Sequence, residues 1–372
     1  MILQLLSSAY GAAASWRRRW YAADPSRRRV LARPVVSVGN LRVGGTGKTP
    51  IVGHIARLLL ENGHRPAVLT RGYARRAASA GVTVVSDGDT ILADVSHAGD
   101  EPLMLARALP GVPVLVGANR YLSGLLAERR FGATVHVLDD GFQHFQLARD
   151  VDLVLVDESD LSDRPLPAGR LREPLANGSA ADAALVDAGY TTATERIGRA
   201  LGVPTVFRVT RVLLPPRVIS TGDSVVVPPG ARVFAVAAIA RPERFVSDLG
   251  AVGWQVVGTL TYRDHYQFRP RDLRRIAAAA KSSSAAVVLT TEKDAVRLAA
   301  CDLAALPIAA VPLSVGVEPH EGFRDWLLER IRTSHDAPRA SRNAPRDARD
   351  SSRIPSDAPC ASEPAPRTAH ET

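Results

Sequence analysis

Residues 36–50 read V-S-V-G-N-L-R-V-G-G-T-G-K-T-P: an apolar strand, a glycine-rich turn, then Gly47-Lys48-Thr49 opening a helix. In that helix Ile51, Val52, Ile55, Leu58 and Leu59 recur at helical spacing. Such a turn aims backbone N–H groups and a helix N-terminus at phosphate. The lysine reaches the β/γ oxygens and the threonine hydroxyl ligates Mg²⁺. Gly44, Gly45, Thr46, Gly47, Lys48 and Thr49 are therefore the candidate ATP cradle. Pro50 falls in the first helical turn, where a missing N–H costs little. The general pattern G-x-x-x-x-G-K-[ST] asks for glycine at position 42, and this chain has Arg42; Gly44 and Gly45 supply the flexibility instead.

Outward from this loop, strand and helix patterns alternate, the sign of a parallel sheet with helices on both faces. Strands are expected at Pro34–Val38, Ala67–Thr70, Val82–Val85, Val112–Val116, Thr134–Leu138 and Val151–Val156, with helices at Ile51–Glu61, Pro102–Ala108 and Tyr121–Arg130. The pattern loosens between Leu161 and Pro215, apart from an apolar run at Ala183–Val186. A second series follows: strands Val233–Ala237, Trp254–Leu260, Ala285–Leu289 and Pro307–Pro312, with helices near Glu243–Leu249, Pro270–Ala280 and Gly322–Ile331. A Pro-Pro-Gly stop at 228–230 marks the boundary. The expected organisation is a phosphate-loop domain at 34–220, a smaller α/β domain at 221–332 and a disordered tail at 333–372. That tail has Ile354 as its only large aliphatic residue and balances six arginines against six acids over 334–372.

The 372 residues carry a formal charge of +9, and 44 of the 47 basic residues are arginine. Residues 1–33 hold seven of these arginines against the single acid Asp24, which is +6 of the +9. A groove that binds nucleic acid spreads its basic residues, so a cluster at one terminus argues against that partner. The same segment begins MILQLLSSAYGAAASWRRRWY. A signal peptide places charge before its apolar stretch, whereas here Arg17, Arg18 and Arg19 follow it. Ile2, Leu3, Leu5, Leu6, Tyr10, Trp16 and Trp20 on one helix, with arginines at its end, suit the headgroup layer of a membrane. Cys301 and Cys360 support neither a disulfide framework nor a cysteine metal site, which fits a reducing compartment. No run of apolar residues is long enough to span a bilayer.

Further motifs carry chemistry. T-V-H-V-L-D-D-G-F-Q-H (134–144) ends an apolar strand in Asp139 and Asp140, at the edge where phosphate-loop enzymes hold Mg²⁺. In A-G-D-E-P-L-M-L-A (98–106), Asp100 either caps the helix that follows or takes the proton of an attacking hydroxyl. Arg263-Asp264-His265-Tyr266 follows a strand of the second series, and His265 there is a polar contact or a catalyst. Leu166-Pro167-Ala168-Gly169-Arg170-Leu171-Arg172-Glu173-Pro174 suits an anionic group or a solvated loop.

The ordered set SVGN…GGTGKTP (37–50), RGY (71–73), GDEP (99–102), DDGFQH (139–144), P-x-G-x-LREP (167–174), DHY-x-F (264–268) and TEKD (291–294) resembles the tetraacyldisaccharide 4′-kinases, which make lipid A. The resemblance implies transfer of the γ-phosphoryl of ATP, with Mg²⁺, to the 4′-hydroxyl of an acylated glucosamine disaccharide 1-phosphate. It implies attachment to the cytosolic face of the inner membrane and no obligate protein partner. By their match to the motifs, Asp100 is the base and His265 orients or tunes it. Thr49, Asp139, Asp140 and Glu173 form the metal and acidic shell, and Arg71, Tyr73, Arg120, His144 and Arg172 contact substrate. The rival reading is a membrane-recruited ATPase switch. Its K-G-G-x-G-K-[ST] loop needs lysine at position 43, where this chain has Val43.

Overall fold

Strands covered on both faces need near-continuous apolar runs, and the anticipated runs form them. The structure, a computed structural model, describes residues 1–45, 47–72, 75, 81–187, 193–303 and 306–336. In chain order the elements are α1 (Ile2–Ala23), β1 (Val35–Asn40), α2 (Lys48–Glu61), β2 (Pro66–Thr70), β3 (Thr83–Ser86), α3 (Val95–Ala98), α4 (Asp100–Ala108), β4 (Val114–Val116), α5 (Arg120–Phe131), β5 (Val135–Asp139) and β6 (Val151–Val156). There follow β7 (Ala183–Asp187), α6 (Ala193–Leu201), β8 (Val206–Leu213), β9 (Arg217–Val218), β10 (Arg232–Ala237), α7 (Pro242–Ala251), β11 (Gln255–Thr261), α8 (Pro270–Ser282), β12 (Val287–Thr291), α9 (Glu292–Leu298), β13 (Ile308–Val311), β14 (Leu313–Glu318) and α10 (His320–Asp336).

A nine-stranded sheet has the order β14-β8-β7-β6-β1-β5-β2-β4-β3. It is parallel except at its edges, where β14 pairs antiparallel with β8 and β3 with β4. One face packs on α2, α4 and α10 through Ile51, Ile55, Leu59, Leu105, Phe323 and Leu327. The other buries Leu31, Leu69, Leu115 and Ala127 with α5, and Leu41, Phe142 and Ile197 with α6. Central β1 lies between β5 and β6, so the chain reverses its order of winding there. The carboxyl ends of strands at such a point form the crevice where open α/β sheets bind ligands.

The second sheet has the order β11-β10-β12-β13-β9. Here the expected boundary is corrected. β14 and α10 return to the first sheet, so the second unit ends at Val311 and is an insertion between the paired strands β8 and β14. The periodicity of β14 shows a strand but carries no information about which sheet accepts it. The expected tail is corrected at its start, since residues 333–336 are the last turn of α10; residues 337–372 lie outside the described residues.

α1 inverts the usual amphipathic arrangement. Its protein-facing stripe is small and polar: Ser7 and Gly11 are buried, Ser7 donates to Pro165 O (2.6 Å), and Ser15 donates to Asn177 Oδ1 (3.1 Å). A Cβ on Gly11 would meet Pro174 at 3.2 Å and Pro165 at 3.3 Å, so glycine permits this close approach. The apolar side chains Ile2, Leu3, Leu5, Leu6, Tyr10, Trp16 and Trp20 are all exposed. Among the described residues no helix is long and apolar enough to cross a membrane.

Candidate active site

The glycine-rich turn leaves β1 and enters α2 through Gly47, whose φ of 80° is the left-handed region that glycine occupies freely. Lys48, the first residue of α2, donates to Asn40 Oδ1 (3.0 Å) and pairs with Asp140 Oδ1 (3.3 Å). The ammonium thus sits where the ends of β1 and β5 converge. Arg42, which stands where glycine was expected, is fully buried. It pairs with Asp160 (3.0 Å) and donates to Ser159 Oγ (2.9 Å), tying the start of the turn to the short 3₁₀ segment Glu158–Ser162. Burial lowers its pKa and Asp160 opposes that shift. Thr46 lies outside the described residues.

Asp139 ends β5, accepts from Thr70 Oγ1 (3.3 Å), and leaves its buried Oδ1 with no hydrogen-bond partner. Burial, with Glu101 and Asp140 nearby, raises its carboxyl to about 7. Asp140 takes a left-handed φ of 55° and accepts from Arg172 Nη1 at 2.9 and 2.8 Å. Burial opposes its charge, yet Lys48 and Arg172 outweigh it and hold its pKa below the usual carboxylate value. An orphaned acceptor whose ionisation its surroundings disfavour fits a divalent cation. Asp139 offers that acceptor, with Asp140 next to it in the chain; Thr49 follows Lys48 at the start of α2. Among the described residues no group of three or more His, Cys, Asp and Glu forms a cage.

Glu173 departs from its expected role. Its oxygens receive Arg18 Nε (2.8 Å), Arg18 Nη2 (2.7 Å), Gln143 Nε2 (2.8 Å) and Asn177 Nδ2 (3.0 Å). With four donors on a buried carboxylate, Glu173 is a strut between α1 and the DDGFQH loop instead of a metal ligand. Arg18 also lies over the rings of Phe142 (4.2 Å) and Phe145 (4.8 Å).

Asp100 opens α4 and is 2 % exposed. It makes no side-chain cap bond to its own helix. Instead Oδ1 receives Arg297 Nε (2.6 Å), while Oδ2 pairs with Arg297 Nη2 (2.5 Å) and contacts His265 Nδ1 (2.9 Å). Burial opposes the Asp100 charge, but His265 and Arg297 together hold its pKa below the ordinary value. His265 has a left-handed φ of 61°, and its Nε2 lies 3.3 Å from Lys293 Nζ. Lys293 also donates to Glu101 Oε1 (3.0 Å) and Asp264 Oδ1 (3.1 Å). The network joins α4 of the first unit to α9 and the β11–α8 loop of the second.

Arg71 and Arg120 form a cationic pair beside His144. Arg120 is buried, donates to Ala118 O (3.1 Å), and has its pKa lowered to about 10 by burial and by Arg71. Burial, then Arg120 and Arg149, push His144 down to about 3. Tyr73 lies outside the described residues. Sequence reasoning passed over Arg297, which stands one turn beyond Lys293; the spacing of T-E-K-D-A-V-R on a helix was the available signal.

Around the other side of the phosphate loop, α7 is tied to the ends of β6, β7 and β8. Arg241 pairs with Asp157 (3.0 Å), Arg211 with Asp248 (2.8 Å), and Arg244 with Asp187.

The family model described as tetraacyldisaccharide-1-P 4′-kinase matches residues 1–332. A tetraacyldisaccharide 4′-kinase of Syntrophus aciditrophicus is 37% identical over 355 residues, covering 89% of this chain and 93% of that one. One from Koribacter versatilis is 39% identical over 335 residues, covering 88% and 98%. Among solved structures, LpxK from Aquifex aeolicus in complex with ATP superposes with a TM-score of 0.69 at 30% identity, covering 88% of this chain and 98% of that one.

Proposed function

The chain belongs to the tetraacyldisaccharide-1-P 4′-kinase family, and from that premise we propose that it transfers the γ-phosphoryl group of ATP to the 4′-hydroxyl of an acylated glucosamine disaccharide 1-phosphate. The reaction takes place at the cytosolic face of the inner membrane. The observation that carries this reading is Asp100, a buried carboxylate held ionised by Arg297 and His265 and bordering, through Glu101, the Asp139 end of β5.

An ionised carboxylate with a remaining lone pair accepts a hydroxyl proton in the transition state. The 4′-oxygen forms its bond to γ-phosphorus, the bond to the β-phosphate oxygen breaks, and that electron pair leaves with ADP. The proton goes to Asp100. Phosphoryl transfer asks the protein mainly for positioning and charge neutralisation. Lys48 leaves Asn40 and Asp140 for the phosphate oxygens, and Arg172, released from Asp140, is free for an anion. Mg²⁺ held by Thr49 and Asp139 would neutralise charge on the β- and γ-oxygens. Arg71 and Arg120, with His144 beside them, would contact an anionic group of the acceptor.

The outward apolar side of α1 supports attachment to the bilayer that holds the acyl chains. A switch ATPase gives no role to the Asp100–His265 contact. The test measures transfer of phosphate from ATP to purified tetraacyldisaccharide 1-phosphate in mixed micelles. ATP consumption should require the lipid and match product one to one; brisk turnover without it would refute the kinase reading.

A further inference from the structure

Of the chain's three lysines, Lys48 belongs to the phosphate loop and Lys281 is exposed on α8; Lys293 has no part in the mechanism above. Its surroundings are nonetheless specific. The ammonium reaches an acid of the first unit (Glu101 Oε1, 3.0 Å), an acid of the second (Asp264 Oδ1, 3.1 Å) and the far nitrogen of the catalytic histidine (His265 Nε2, 3.3 Å). Burial opposes its charge, and the two acids more than offset that.

The hydrogen-bond chemistry of these contacts has one consistent solution. An ammonium has three protons to give and no lone pair to receive. If Lys293 bonds Nε2, that nitrogen is the acceptor, and the ring's proton resides on Nδ1. Nδ1 lies 2.9 Å from Asp100 Oδ2, an ionised oxygen that only accepts. Arg297 Nη2 lies 3.2 Å from Nδ1 and 2.5 Å from Asp100 Oδ2; its second proton could reach only an unprotonated Nδ1, and that tautomer would put the ring proton on Nε2, against the ammonium. The opposite tautomer would accept from Arg297 at Nδ1, but it would set an N–H against the ammonium and a lone pair against the Asp100 carboxylate.

Asp264 is what makes this assignment depend on the lysine. Its Oδ2 lies 3.8 Å from Nε2, and Lys293 occupies its other oxygen. Without the ammonium, Asp264 competes with Asp100 for the ring proton. The groups that face the Asp100–His265 pair are thus Arg297, Lys293 and Asp294 from α9, Glu101 from α4, and Asp264 from the loop.

We propose that Lys293 is a positioning residue for the phosphoryl transfer: by donating to His265 Nε2 and engaging Asp264, it fixes the imidazole proton on Nδ1, where it bonds the base Asp100. This rests on Asp100 being the base, but the tautomer is read independently of turnover. A wrong base and a wrong tautomer therefore give different results.

The experiment uses the full chain labelled with ¹⁵N at histidine, with His265 assigned from the loss of its signals in His265→Gln. Two-bond ¹⁵N–¹H spectra of the unsubstituted protein should show a protonated Nδ1 and a bare Nε2; the reverse pattern overturns the proposal with no variant needed. In Lys293→Met the Nδ1–H form should give way to an Nε2–H form or a mixture. Its kcat should fall roughly 10- to 100-fold, the usual cost of losing a side chain that orients a functional histidine, with the KM for ATP unchanged. Lys293→Arg keeps a donor toward Nε2 and Asp264, and should restore the Nδ1–H form and most of kcat. A Met variant that loses activity while its ring stays Nδ1–H refutes the proposal, because the lysine would then serve only to join the two units. If the Met variant does not fold, the unsubstituted protein and Lys293→Arg decide the matter by the same spectra.

Discussion

Leu5 and Leu6 on α1 are 65% and 53% exposed, on the side of the helix that turns away from the sheet. Replacing both with glutamine keeps helix propensity, and the glutamine stems retain most of the contact made by the covered part of each side chain. If this side enters a membrane, the change forfeits about 1.2 leucine side chains of burial, worth roughly 2–3 kcal/mol, or on the order of 30- to 150-fold in partitioning. The assay is co-sedimentation with vesicles of anionic lipid, with a thermal melt alongside. The melt should match that of the unsubstituted protein, since these side chains already face water. Raising salt should weaken binding as well, because Arg17 and Arg19 stand exposed toward the other end of the same helix, and each basic residue near an anionic surface contributes about 1 kcal/mol. Unchanged sedimentation of the double variant would refute the reasoning and point to another surface. Deleting residues 1–33 is the poorer test. It strips Glu173 of Arg18, so loss of binding would be confounded with loss of structure.

Asp100→Asn should lower kcat by on the order of 10²-fold or more while ATP affinity, read by fluorescence titration, stays near normal; wild-type turnover would remove Asp100 from the mechanism. Lys48→Ala should weaken ATP binding and slow transfer together, and unaltered kinetics would mean the glycine-rich turn holds no phosphate. Arg18→Met leaves the buried Glu173 with only Gln143 and Asn177, and should cost about 3 kcal/mol in denaturant unfolding. The double variant with Glu173→Gln should recover part of that loss. His54 is pushed from 6.5 to about 4 by burial, with His320 and Arg57 adding to it. Between those pH values the unfolded chain binds the proton and the native one does not. Stability should therefore fall as pH drops through this window, by up to about 1.4 kcal/mol per unit, and His54→Leu should reduce the slope in pH-dependent melts.

The strands of the first sheet and the phosphate loop were legible because their signals are local. An apolar run bounded by Gly and Asp reports a covered strand, and a Gly-Lys-Thr turn between strand and helix reports a phosphate cradle. What escaped was pairing at a distance. β14 finds β8 across the whole inserted unit, and nothing in six residues of alternating side chains names that partner. Glu173 entered the metal and acidic shell only through its match to the family motif, and an acid between arginine and proline in a loop looks the same whether it faces Mg²⁺ or a guanidinium. Its partner Arg18 lies 155 residues earlier, in a segment whose arginines were assigned to the membrane. The basic N-terminus therefore has two roles: Arg18 turns inward as a strut, while Arg17 and Arg19 are exposed.

The same reasoning explains why Asp100 was identifiable by motif yet ambiguous by physics. A carboxylate ahead of a helix is most simply a cap, and its own neighbours do not contradict that. What sets it apart is supplied from the inserted unit: Arg297, 197 residues away, and His265, 165 residues away, take up its oxygens and leave the helix N-terminus uncapped by it. The first unit thus carries Asp100 and the glycine-rich turn, and the second carries Arg297 and His265, which keep the Asp100 carboxylate ionised and oriented. The Asp100–His265 pair is divided between the two units. The insertion between β8 and β14 consequently cannot be a passive appendage: the chemistry of Asp100 is a property of the contact between the two units.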